Sequence, residues 1–63
     1  MTKESKERIR KRLVWVYSET FSLDEAPPLQ VEDYKINREI QKKVGGYLGL
    51  EPLTKAISLL ESL

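Results

Sequence analysis

The chain has 63 residues, 40% of them hydrophobic and 33% charged, with a formal net charge of +1. That length allows one small domain and not two, and at this size folding buries only about 60% of the unfolded surface, so stability is marginal unless a partner adds to it. Cysteine and histidine are both absent, which excludes disulfides, the usual zinc sites and any Cys- or His-based nucleophilic pair.

Scaffolds this small that lack such staples depend on oligomerisation or on tight helix packing. The hydrophobic content is too high for a disordered chain. No stretch approaches the roughly 20 apolar residues of a membrane span, and the basic N-terminus lacks an apolar run ending in a cleavage site. The expected setting is cytoplasmic, with no membrane partner.

Helix 1 is expected over about residues 2–23. Thr2 is a suitable N-cap, and Glu4 with Arg8 and Glu7 with Lys11 are acid-to-base pairs at i,i+4. Ile9, Leu13, Val16, Tyr17 and Thr20 share one face, the spacing of a core-facing stripe. Leu13, Trp15, Tyr17, Phe21 and Leu23 also alternate with Val14, Val16, Ser18, Thr20 and Ser22 in a strand-like period of two. Helix is favoured, because no second strand-like run with a turn signal is available to pair with it.

A proline connector follows over residues 24–30. Pro27 and Pro28 cannot continue a helix, and Ala26 is pushed extended by the proline after it. Helix 2 is expected over about 31–45, with Ile36, Ile40, Val44 and Leu48 as its apolar stripe and Lys35, Glu39 and Lys43 as an opposing charge ladder. Gly45 or Gly46 supplies its stop and opens a glycine turn over 45–51. Helix 3 is expected over 52–63, with Pro52 at its first position and Leu53, Ala56, Ile57, Leu60 and Leu63 on one face. The predicted fold is a small all-α three-helix bundle in a single domain, with helix 1 long enough to act as a dimerisation arm.

The near-neutral total hides blocks of charge. Residues 1–12 hold six cations against Glu4 and Glu7; residues 13–34 hold Glu19, Asp24, Glu25, Glu32 and Asp33 and no cation. A basic patch for an acidic partner and mutual neutralisation within the fold explain this layout equally well.

"RIRKRLVWVY", residues 8–17, sets Trp15 three, four and seven positions after Arg12, Lys11 and Arg8, away from the core stripe. A helix apolar on two sides calls for packing inside the protomer or against a second chain, and tryptophan and arginine dominate interface energetics. Val14, Trp15 and Phe21 are therefore the candidate apolar contacts of a protein interface, with Arg8, Lys11 and Arg12 orienting the partner. In a nucleic-acid reading, bases stack on Trp15 and the same three cations take phosphates.

Residues 37–63 have the outline of a helix-turn-helix, whose second helix enters the major groove. Thr54, Lys55 and Ser58 would face DNA there. The link from Val44 to Leu53 exceeds the usual turn, however, and helix 3 offers no Arg, Asn or Gln for bidentate base contacts. An ordinary αα-hairpin explains the same residues.

Catalytic candidates are sparse. "VGGYLG" lacks the Lys-Ser/Thr ending of a phosphate loop, and the carboxylate neighbours Asp24/Glu25 and Glu32/Asp33 lack calcium-loop spacing, reading instead as solvated loop acids or helix-start acids. The sequence thus points away from an enzyme, with no cofactor, metal or small-molecule substrate expected. It points toward a small regulator or adaptor that makes helix-mediated protein contacts and self-associates. The alternative is a dimeric helix-turn-helix-like DNA-binding regulator whose basic first helix holds phosphates.

Overall fold

The computed structural model describes residues 2–18, 26–45 and 48–63. Three helices occur in chain order: α1 (Lys3–Tyr17), α2 (Val31–Val44) and α3 (Leu50–Glu61). Each packs against the other two, giving an all-α three-helix bundle with no strand among the described residues.

α1 begins where the sequence places it. The Thr2 hydroxyl accepts the Ser5 amide N–H at 3.1 Å, satisfying one of the donors that a helix start leaves unpaired. The helix ends at Tyr17, short of the expected 23, with Ser18 extended. A continuing helix would send an amide four residues on back to the Tyr17 carbonyl; that carbonyl instead accepts the Gly49 N–H at 3.0 Å, from the start of α3. Residues 13–17 are therefore helix, and the strand-like alternation there reflects side-chain type alone. Phe21, Thr20 and Leu23 lie outside the described residues.

Side-chain pairing on α1 differs from the expected i,i+4 ladder. Arg8 turns away from Glu4 to Asp33 of α2, and Glu7 pairs with Arg10, at 2.6 Å, rather than with Lys11. A salt bridge across elements displaces the local one because Asp33 has no access to water and Glu4 does.

α2 matches its expected range to within one residue. Its stop is Gly45 at φ 92°, whose N–H donates to the Gln41 carbonyl. α3 starts two residues earlier than expected, so Pro52 sits at the third helical position rather than the first. It is tolerated because the first α-helical bond belongs to the next residue, Leu53 N–H to Gly49 O at 3.2 Å. Gly49 adopts φ 121°, a region closed to side chains with a Cβ, and this lets its amide reach Tyr17 while its carbonyl opens α3.

Among the described residues, the core is a cluster of Ile9, Leu13 and Tyr17 from α1, Ile40 from α2, and Ala56 and Leu60 from α3. Half of it comes from one helix. Val16, Leu29, Ile36, Val44, Leu53 and Leu59 pack around it, partly buried. Two stripe assignments fail: Leu63 and Leu48 are more than half exposed, since α3 ends at Glu61 and α2 at Val44 and neither side chain is carried onto a helix face. The radius of gyration, 10.9 Å, is that of a close-packed chain of this length, about 10.6 Å. α1 therefore lies along the bundle and does not project as an arm.

Truncating the core should be severe in so small a cluster. Leu13→Ala should cost about 2–5 kcal/mol and leave the chain largely unfolded, measured as loss of helical circular dichroism at room temperature. Gly49→Ala should lower the melting temperature by several degrees even though it removes no contact, because alanine resists the backbone angle that joins α1 to α3.

Candidate protein interface

The three basic residues singled out on α1 have different destinations. Arg8 donates from Nε to Asp33 Oδ2 at 2.7 Å and from Nη2 to Ser5 Oγ at 2.9 Å. Asp33 also accepts the Gln30 N–H at 3.0 Å, so one carboxylate closes the N-terminus of α2 and holds it to the first turns of α1. Asp33 is fully buried, not a solvated acid. Its hydrogen bond with Arg8 holds its carboxyl below the usual carboxylate range, opposing the upward push of burial; the Gln30 amide and the Ser5 hydroxyl act in the same direction as Arg8.

Arg12 donates to the Pro27 carbonyl at 2.8 Å, pinning the proline connector to α1, and its guanidinium lies 5.5 Å from the centre of the Trp15 ring, in cation–π range. Trp15 is half-buried beside it. Only Lys11 of the three is exposed and without an ion pair among the described residues. It borders a shallow depression between α1 and α3 with Arg10, Val14 and Ile57, where Val14 is 44% exposed. The structure therefore splits the set in two: Arg8 reaches α2 and Arg12 the connector, with Trp15 beside Arg12, whereas Lys11 and Val14 border the edge of α3.

Thr54, Lys55 and Ser58 stay together on the outer side of α3. The groove they line also contains Val44, Leu48, Leu50 and Pro52. Thr54 is occupied within its helix, donating to the Leu50 carbonyl at 2.9 Å. Glu51 and Lys55, one turn apart, border the same groove. Its apolar members are unusually open for their size: Leu50 is 79% exposed and Leu48 52%.

This groove was not visible as a unit in the sequence, where Leu48 belonged to the stripe of helix 2 and Leu50 to the glycine turn. The available signal was "LGLEP", two leucines around a glycine, beyond the end of one helical stripe and out of phase with the next.

No three or more metal-ligating side chains gather among the described residues, and no helix among them is long and apolar enough to cross a membrane. Comparison with protein-family models, with curated proteins and with solved structures finds no match.

The Asp33 site has a pH signature. Its folded pKa lies below the unfolded one, so the stability it contributes is complete above about pH 5 and is lost as pH falls through about 4 toward the folded value. Urea midpoints of the wild type should drop over that interval. Those of Asp33→Asn should start lower, by about 2 kcal/mol in unfolding free energy at neutral pH, and vary less with acid.

Proposed function

We propose that this protein is a small non-enzymatic regulator or adaptor that acts through helix-mediated protein contacts and self-associates through the α2–α3 groove. The observation that carries the proposal is the exposure of Leu48 and Leu50 side by side with Val44 and Pro52, while six hydrophobic residues are buried among the described residues. Scattered exposed leucines are ordinary, but neighbouring ones in a groove with a charged border are the usual form of a protein contact site.

A second copy is the occupant that the groove's own charges favour. Glu51 and Lys55 have opposite sign on one helix, so a two-fold axis across α3 can set Glu51 of each copy near the partner's Lys55 while the leucines meet between them. Such a contact also adds the buried apolar surface that a chain of this length lacks. Val14, beside Lys11 and Ile57 at the α1–α3 edge, offers a second and smaller apolar spot for a different partner protein. The internal engagement of Arg8 and Arg12 leaves the basic end of α1 less suited to DNA than its sequence suggests.

Sedimentation velocity over micromolar to near-millimolar concentrations tests this. Wild type should shift from monomer to dimer, and Leu50→Glu should remain monomeric with unchanged helix content, since Leu50 contributes little to the core. A wild-type chain that stays monomeric throughout, or a Leu50→Glu variant that dimerises normally, would remove the basis for self-association.

A further inference from the structure

We propose that the outward face of α2 is a separate binding site for single-stranded nucleic acid, away from the α3 groove and independent of it. Four cations, Lys35, Arg38, Lys42 and Lys43, lie on this helix, all exposed. None of them takes part in an ion pair or a side-chain hydrogen bond among the described residues, unlike Arg8, Arg10 and Arg12 of α1.

Helix stability explains part of this set and not the rest. Lys42 and Lys43 occupy the last turn, where cations complement the helix dipole. Glu39 sits one turn from Lys35 and from Lys43 and offsets those two. Arg38 has no such neighbour: at three and four residues on either side lie Lys35, Gln41, Tyr34 and Lys42, two of them cations and none of them an acid. Like charges at this spacing destabilise a helix, so Arg38 is placed at a cost to the fold.

What surrounds Arg38 matches the needs of a nucleotide chain. Tyr34, one turn before it, is 51% exposed, a flat ring available for stacking. Lys42, one turn after it, continues a row of charge at intervals of about 6 Å along the helix. Asn37 and Gln41 flank the row with amide groups. Asn37, although only 7% exposed, borders the same concave surface as Tyr34, Lys35, Arg38, Glu39, Gln41 and Lys42. Cations alone would suit any polyanion. The aromatic ring and the paired amides are what favour nucleobases over an acidic peptide, and an unpaired strand over a duplex, whose bases cannot reach a tyrosine face.

The test is fluorescence anisotropy of a labelled mixed-sequence DNA oligonucleotide, single-stranded, titrated with the full chain at low and moderate salt. Saturable binding that weakens with salt is expected. Arg38→Gln should lower affinity several-fold and reduce the salt slope by about one, as the loss of one phosphate contact does. Tyr34→Ala should lower it roughly tenfold, while Tyr34→Phe, which keeps the stacking ring, should bind as wild type does. Lys11→Gln, the same charge change on α1, should matter little, and Leu50→Glu should keep helix content while its dimer is lost, which separates failure of this site from failure of the groove. Circular dichroism melts establish that each variant is folded.

Four results would overturn the proposal: no saturable binding at low salt, an equal loss in Lys11→Gln and Arg38→Gln, duplex of the same sequence binding as tightly as the single strand, or poly-glutamate competing as effectively as unlabelled oligonucleotide.

Discussion

A carboxylate without access to water is costly unless nearly every lone pair is met, and Asp33 meets this demand by drawing three parts of the chain to one point. Arg8 of α1 supplies charge and donors, Gln30 closes the start of α2, and Ser5 links the guanidinium back to the Thr2 cap. Fixing the first turn of α2 against the first turns of α1 sets the register of both helices before any apolar contact is counted. Arg12 repeats the arrangement one turn along, holding the Pro27 carbonyl, so the connector is tied to the same helix that anchors α2.

With that edge fixed, a few side chains form the apolar core of the described residues. Ile9, Leu13 and Tyr17 form a row at i,i+4 along α1, and α2 and α3 contribute only Ile40, Ala56 and Leu60 as fully buried partners. Ala56 has little volume, so it adds closeness of packing more than buried area. The far end of α1 is closed by the backbone bond from Gly49 to Tyr17, which returns the chain to α1 just as α3 begins. Polar links at both ends of α1 thus bracket a modest hydrophobic middle, and the leucines beyond α2 and at the start of α3 are left on the surface.

The same links redistribute charge. Along the chain, α1 carries the dense basic block and residues 13–34 the acidic one. In space, Arg8 is neutralised by Asp33 and Arg10 by Glu7, and Arg12 is spent on a carbonyl and an indole ring. α2 carries a sparser set of cations in the sequence, and none of its four is in an ion pair among the described residues. Charge density along the sequence and charge available to a partner are therefore different quantities here, because a guanidinium can be withdrawn by a carboxylate 25 residues away.

The class of fold and the helix count were legible in the sequence because they rest on local chemistry: the Thr2 cap, the proline connector, the glycine stop of α2 and the apolar spacing of α3 each act within one or two turns. The end of α1 was not legible, since it depends on a bond from Gly49 to a carbonyl 32 positions earlier. Nor was the status of Asp33, which reads as a helix-start acid and becomes a buried anchor only when Arg8 arrives from another helix. The candidate sites divide in the same way. Sequence spacing placed Trp15 among arginines and kept Thr54, Lys55 and Ser58 on one face, because helical periodicity alone fixes those relations. Only the tertiary structure decided that Arg8 and Arg12 turn inward, that Leu48 and Leu50 share an open groove, and that Arg38 stands exposed beside Tyr34. Each of those outcomes depends on which surfaces the three helices cover when they pack, and that is a property of their mutual arrangement rather than of any one segment.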